Sequence, residues 1–562
     1  MAYTPNDGLS ARQRLLRRWG ALKQERASWE AHWRDLSRYL LPRNGRFLVE
    51  DRNKGLKRHN DLLDGTATWA LRVMAAGMMA GATSPARPWF RLRAQDPALN
   101  KRHDVQLWME DATQAVQGVF RKAKTYPNLH QIYGEIGCFG TGCNYLQDDP
   151  KTILRHHPVT IGEYAIATDP GGDVHTVFRE FGMTTEQMVE TFGLANVSTM
   201  VRHQYERGDY DQWHNVVHAI YPRKTRDLTK RDNRNMRFAS CYAETGGNEE
   251  PQLLRESGYD EFPAIVPRWD VAGGDIYGNS PGMEALGEVM GLQFKQLRLA
   301  KGIDYQTDPP LLLPETLSGR DNEALPGGRV YANAADAGVI KSLFDVRLDL
   351  SHLDRVIERS QGMVGRIFYA DMFLMIANSS DTTQRTAAEI AERHEEKLVM
   401  LGPVLERQQD DVQRPLVDRA FMGLLRAGKL PPLPPDLMGQ ELEVEFVSAI
   451  AQAQQAVGTH ASDRFVMALG AVAALPGKEQ VLDKFDEDEW ADRYSQQLGV
   501  DPHLIVATPQ VAAVRQARAQ AMAAKEQVAV MEQAGSAAKN LAAAPTSGDP
   551  TALTDLFQGY SA

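Results

Sequence analysis

Leu15, Trp19, Leu22, Trp29, Trp33, Leu36 and Leu40 recur at steps of three and four, with one gap at Arg26. That spacing predicts a long amphipathic helix over about residues 10–41, ended by Pro42. Its three tryptophans call for burial against the chain's own domain, although a basic amphipathic helix also suits a membrane or partner. A smooth apolar helix follows in DGTATWALRVMAAGMMAGATSPARPWFRL, 64–92, with Gly77 and Gly81 spaced for close backbone packing. A third helix, about 102–124, gathers Val105, Trp108, Ala112, Val116, Val119 and Ala123 on one face.

From about 143 to 270 the period changes to that of strands. YAIATDPGGDVHTVF reads as a hairpin around Pro170-Gly171-Gly172, and WHNVVHAIY and RFASCYAE read as further strands. Between them TTEQMVETFG is a short helix, with Thr184 and Gln187 placed as a capping box. Ser280 and Pro281 then suit the N-cap and first position of a helix reaching about Gln306. A turn- and strand-rich insert, about 308–345, separates it from a second helix, about 350–373, with Leu353, Ile357, Met363, Val364 and Phe368 among its apolar positions.

ANSSDTTQ, 377–384, is a polar break. Beyond it a very long helix runs to about 428, with Thr386 and Glu389 as a capping box and kinks at Pro403 and Pro415. LPPLPPDL, 430–437, reads as a stiff surface linker, ELEVEFV as a strand, and 509–544 as an Ala/Gln-rich helix whose thin stripe needs neighbours. The fold class is α+β, predominantly helical.

No membrane span is expected. The longest apolar run, Val73 to Ala82, falls short of the roughly 20 residues a span needs, and Pro85 and Pro88 end it. The N-terminus, MAYTPNDGLSARQR, is too polar for a secretory signal.

Charge narrows the classes further. The chain has 562 residues and 63 Lys/Arg against 73 Asp/Glu, a formal charge of −10, so it is not a basic nucleic-acid binder of the usual kind. The charge is uneven: residues 1–60 carry 14 bases against 6 acids, and 478–493 carry 7 acids against 3 bases. Cys138, Cys143 and Cys241 cannot build a disulfide framework and suit a reducing compartment.

Catalytic motifs fail on their chemistry. Gly278-Asn279-Ser280-Pro281-Gly282 matches the nucleophile elbow G-x-S-x-G, but the residue after its serine must offer an N–H, and Pro281 has none. GCFGTG, 137–142, follows a helix instead of opening one, so it reads as a tight helix-to-strand turn. No G-x-x-x-x-G-K-[ST] occurs, and His156-His157, Cys138/Cys143 and HEEK, 394–397, lack zinc spacing. DEDE, 486–489, reads as the acidic first turn of a helix. No enzyme activity, metal or cofactor is expected.

LLDGTATWALRVMAAGMMAGATSPARPWFRL, HPVTIGEYAIATDPGG, FPAIVPRWDVAGGDIYGNSPGMEALGEVMGLQ, DPPLLLP, RTAAEIAERHEEKLVMLGPVLERQ, RAGKLPPLPPDL and VEFVSAIAQAQQ occur in that order. Together they resemble the head-to-tail connecting, or portal, proteins of short-tailed bacteriophages, from about residue 20 to 460. The resemblance implies a ring, usually a dodecamer, at one capsid vertex in the virion, assembled in the host cytoplasm. Double-stranded DNA passes through it, packaged by a separate terminase and later ejected through the tail. Further implied partners are major capsid and scaffold proteins and tail adaptor or nozzle proteins.

The same resemblance implies an α/β wing at 1–279, stem helices at 280–306 and 347–373 around a β-like clip at 307–346, and a tunnel loop at 374–384. The long kinked helix and wing return occupy 385–448, a crown 449–508, and a barrel helix and tail 509–562. Asn378, Ser379, Ser380, Thr382, Thr383 and Arg385 would then face DNA, and Arg320, Asp321 and Arg329 would meet clip partners. Twelve copies would carry about −120 in all, which suits weak contact along the channel. A tail adaptor, a membrane-active ejection protein and a hydrolase at Ser280 are the alternatives.

Overall fold

The computed structural model describes residues 8–49, 55, 57–58, 61–86, 88–230, 232–246, 252–314, 327–332, 341–342, 350–378, 402–440, 442–447, 464–474, 480, 483, 485–498, 502–506 and 508–543. The chain divides into two compact units. The larger holds residues 1–95, 111–433 and 439–453, and the smaller 96–110, 434–438 and 454–562.

In the larger unit, helix α1 (Ala11–Tyr39) starts at Ser10, which forms a capping box with Gln13. It lies on a five-stranded antiparallel sheet of β4 (Tyr164–Thr168), β5 (Val174–Thr184), β6 (Trp213–Pro222), β7 (Phe238–Glu244) and β8 (Arg255–Tyr259), paired in chain order. Leu15, Trp19 and Leu22 pack on Ala165, Phe178, Val217, Ala219, Ala239, Cys241 and Ala243. The run of alanines makes room for the Trp19 ring, which stacks on Phe178 at 6.3 Å. The Arg26 gap in the apolar stripe is itself core. Its guanidinium donates to the carbonyls of Gly162 at 2.7 Å and Tyr164 at 2.8 Å and pairs with Glu30, so the buried charge is compensated.

The β4–β5 hairpin turns where Pro170-Gly171-Gly172 predicts it, with Gly172 at φ 93° and its N–H bonded to the Asp169 carbonyl. Helix α5 (Thr185–Phe192) has its Thr184–Gln187 capping box. A smaller antiparallel sheet joins β2 (Cys143–Asp149) to β3 (Ile153–Val159) and β9 (Ala264–Ile265), while β1 (Phe90–Ala94) pairs with β13 (Leu442–Phe446).

Helix α2 (Thr66–Ala82) is buried against α4 (Thr125–Phe139) and the segment around Phe373. Among the described residues, one of its two glycines serves close packing. A Cβ on Gly77 would sit 2.2 Å from the Phe373 ring, whereas Gly81 has open space. Among the described residues no helix is long and apolar enough to cross a membrane.

Helix α7 (Pro281–Thr307) is the first of the two predicted long helices. A three-stranded sheet follows, in which β10 (Leu311–Pro314) pairs parallel with β11 (Arg329–Ala332) and antiparallel with β12 (Lys341–Ser342). The second long helix is not continuous over 350–373, as the apolar spacing predicts. It is α8 (Leu350–Ile367) and α9 (Ala370–Asn378), separated at Tyr369, whose φ of 54° breaks the helical path. Residues 374–378, assigned above to the start of the tunnel loop, are therefore helical.

Of the predicted long helix after the loop, residues 402–428 are described, and the helix ends at Arg426. Gly402–Gln408 and Arg414–Arg426 are α-helical, joined by a π-helical turn at Gln409–Gln413. The Arg414 N–H reaches back to the Gln409 carbonyl, and Pro415, lacking an N–H, follows directly. Pro415 thus marks the interruption that the sequence predicts.

In the smaller unit, helix Glu487–Leu498 opens on the DEDE run, with Asp486 accepting from the N–H groups of Asp488 and Glu489. Arg515, on helix Thr508–Ala543, pairs with Glu487 at 3.1 Å and Asp488 at 2.7 Å. That long helix leaves Val514, Met522, Val528, Val530 and Met531 more than half exposed.

Candidate conduit helices and their anchorage

Ser280 is the N-cap of α7 and fully buried; its Oγ accepts from the Met283 N–H at 3.0 Å and donates to the Cys138 carbonyl at 2.8 Å. That hydroxyl is committed at both ends, so Ser280 is not placed as a nucleophile. The glycines around it allow backbone contact: a Cβ on Gly282 would lie 2.6 Å from the Cys138 carbonyl, and one on Gly140, at φ +76°, 2.0 Å from that of Gly278. GCFGTG is accordingly the left-handed end of α4 leading into β2.

The other chemical candidates are structural too. Burial pushes the Cys143 thiol up to about 12 and raises that of Cys138 well above its usual value. His156 meets Thr125 at 2.8 Å and Asn144 at 2.7 Å, and His157 meets Gln147 at 3.0 Å. Burial lowers both imidazoles to about 4, helped at His156 by the adjacent His157 and at His157 by the charges of Arg179 and Arg155. A hollow of about 260 Å³ beside α1 has its cations answered already, Lys23 by Glu180 at 3.3 Å and Arg46 by Glu163 at 2.6 Å.

What holds the α7–α8 pair is a polar junction centred on Asp64. Its carboxylate accepts from Thr66 N–H at 2.8 Å, from Gln296 Nε2 at 3.1 Å and from Gln361 Nε2 at 2.7 Å. Gln293 closes the arrangement, accepting from the N–H groups of Leu63 and Asp64 and donating to the Asp64 carbonyl. Burial opposes the Asp64 charge, yet the hydrogen bonds together outweigh it and hold the carboxyl below its usual range. Beside it, one residue along on each helix, Lys295 Nζ bridges Glu288 at 3.1 Å and Ser360 Oγ at 2.6 Å. Sequence reading missed this junction. Its only local signal is three glutamines in otherwise apolar helix faces, and the acidic partner lies more than two hundred residues from each.

Of the residues that the resemblance places on the channel, Asn378 ends α9 and Ser379, Ser380, Thr382, Thr383 and Arg385 lie outside the described residues. Of the clip residues, Arg320 and Asp321 also lie outside them. Arg329 is exposed at the start of β11, opposite Leu311 of β10.

Residues 12–506 match the family model for the "Bacteriophage head to tail connecting protein". The chain is 50% identical over 551 residues to the "Probable portal protein" of Bordetella phage BPP-1, spanning 98% of each chain. It is 40% identical over 553 residues to the "Portal protein" of Salmonella phage epsilon15, spanning 98% of this chain and 99% of that one. A chain of the "Virion of native gene transfer agent (GTA) particle" aligns with 79% of this chain and 97% of its own, at 11% identity and a TM-score of 0.35. With half its residues identical to one portal protein along nearly its full length, the chain belongs to the bacteriophage head-to-tail connecting protein family.

Proposed function

We infer that this protein is the portal subunit of a phage: copies form a ring at one capsid vertex, through which double-stranded DNA is packaged and later ejected. The observation that carries this reading is the 50% identity to a probable portal protein over 98% of the chain. In this reading α7 and α8–α9 are the stem and the β10–β12 sheet is the clip. The segment after Asn378 is the tunnel loop, and the α1-covered sheet belongs to the wing. Residues 449–508 and 509–562 form the crown and barrel. Terminase supplies the motor, and capsid, scaffold and tail adaptor proteins are the other partners. The role is structural and asks for no reaction and no cofactor.

Two observations test it. Electron microscopy of the purified protein should show rings with a central channel, and phage lacking the protein should yield heads without DNA. A protein that stays monomeric at every concentration, together with normal packaging in its absence, would end this reading.

A further inference from the structure

Met290, Phe294 and Leu297 are 42%, 53% and 38% exposed. With Lys301 they form one stripe along α7 at steps of four, three and four, so their side chains stack on a single face. Lys295 and Glu288, which reach Ser360 of α8, project from the opposite side of the helix. The apolar stripe therefore faces away from α8. Three large apolar side chains in a row at such exposure mark a partner surface.

α8 carries a stripe of the complementary kind. Asp354, Glu358 and Gly362 are exposed at steps of four, and a Cβ on Gly362 would meet nothing within 4 Å. Ser360, Val364 and Ile357 face inward, which turns this acidic stripe away from α7. Among the described residues the ion pair on these two helices is Lys295–Glu288, which leaves Lys301, Asp354 and Glu358 without a partner charge.

The two stripes also match in height. Leu311 pairs with Ser342, so the end of α7 and the start of α8 lie together and the helices run antiparallel. Lys295 bonds Ser360, and Asp64 bridges Gln296 and Gln361, which fixes the register. Both helices rise by about 1.5 Å per residue. Counting outward from that level, Phe294 is level with Gly362, Arg298 with Glu358, and Lys301 with Asp354. Rotation about a ring axis leaves heights unchanged, so helices aligned with that axis would bring these same pairs face to face on neighbouring copies.

We propose that the occupant of the α7 stripe is the α8 stripe of a second copy of this chain. Phe294 fills the notch at Gly362, and Arg298 and Lys301 pair with Glu358 and Asp354 below it. The contact is head-to-tail, so each subunit offers α7 on one flank and α8 on the other, and the ring closes by repetition. This rests on the ring reading above and adds to it a register and a charge code.

The test uses full-length protein and counts rings by mass photometry over a range of salt, with circular dichroism to confirm folding. Phe294→Asp alters an exposed residue and should cut the ring fraction at least about tenfold, the effect of losing an anchoring contact. Gly362→Leu should do the same by filling the notch. Lys301→Asp and Asp354→Lys should each weaken rings most at low salt, and the double variant should return them to within about twofold of wild type. Rings that ignore these substitutions, or a swap that does not restore them, would overturn this interface and leave the ring reading standing. Intact rings that have lost a tail or scaffold protein would give the face to that protein instead. A wild-type chain that never assembles would remove both.

Discussion

Glu135 offers the sharpest physical test of the fold. It sits on α4, 3% exposed, with Asn44 Nδ2 at 2.6 Å and Thr160 Oγ1 at 2.7 Å on its Oε1 and Ile161 N–H at 3.4 Å from its Oε2. Burial raises its carboxyl from the ordinary 4.5 to about 7, against the pull of those three bonds and with help from the Glu163 charge. The folded protein therefore holds the proton more tightly than the unfolded chain. The stabilisation from that proton is complete below about pH 4.5 and lost as pH rises through about 7. A tenfold change in proton affinity is worth about 1.4 kcal/mol, so the whole span amounts to about 3 kcal/mol. Glu135→Gln keeps the Oε1 acceptor for Asn44 and Thr160 and cannot ionise. The variant should be close to wild type at pH 5 and more stable by about 2–3 kcal/mol at pH 8.5, once the weak Ile161 contact is discounted. Urea unfolding followed by tryptophan fluorescence, run on both proteins across this range, reads the difference directly. Titrations common to both, including that of Glu163, largely cancel. A difference that stays flat with pH, or one in which wild type gains as pH rises, would show that the carboxylate is ionised and content in its site.

Two further outcomes follow from particular contacts. Gly77→Ala should destabilise the protein by about 1–3 kcal/mol, because the Phe373 ring occupies the space of the new methyl. Gly81→Ala, on the same helix but in open space, should be neutral or stabilising by up to about 1 kcal/mol, both variants being read by the same urea unfolding. If the portal reading and its tunnel loop hold, Ser379→Lys with Ser380→Lys should leave rings intact and slow DNA passage, most at low salt. Packaging and ejection unchanged at every salt concentration would take the loop off the channel.

Local signals carried much of the fold. The stripe from Leu15 to Leu40, the Gly172 turn, the Thr184 capping box and the Ser280–Pro281 start all appear where residue chemistry places them, because cap, turn and period are set within a few positions. Arg26 was illegible for the opposite reason. Its carbonyl acceptors stand 136 and 138 residues along the chain, so sequence shows a gap where the fold has a buried charge. Tyr369 misled in another way: its apolar neighbours continue the helical period, and nothing local announces a tyrosine at φ 54°. At the candidate site, the Ser280 cap could be read and the Asp64 junction could not. The residues proposed for the channel came from family resemblance, not from the chemistry of ANSSDTTQ.

The same asymmetry explains why α7 must be held so firmly. Its inward face, with Ala285, Val289 and Leu292, is buried in the chain's own core, while its outward stripe at Met290, Phe294 and Leu297 is open. A surface that repeats around a ring tolerates little tilt, because an angular error at one contact recurs at every other and prevents closure. The helix is fixed at its start by the Ser280 hydroxyl on the Cys138 carbonyl and by Gly282 against that backbone. About four turns on, Gln293 and Gln296 tie it to Asp64, and Asp64 in turn holds Gln361 of α8. Two anchor points on one helix define a direction, and the shared carboxylate gives α8 the same reference. A hydrophobic contact alone would let the helices slide by a residue, but hydrogen bonds to a single buried carboxylate do not. The polar junction therefore sets the register of the helix pair, and with it, in the ring interface proposed above, the heights at which Phe294 and Gly362 would meet a neighbour.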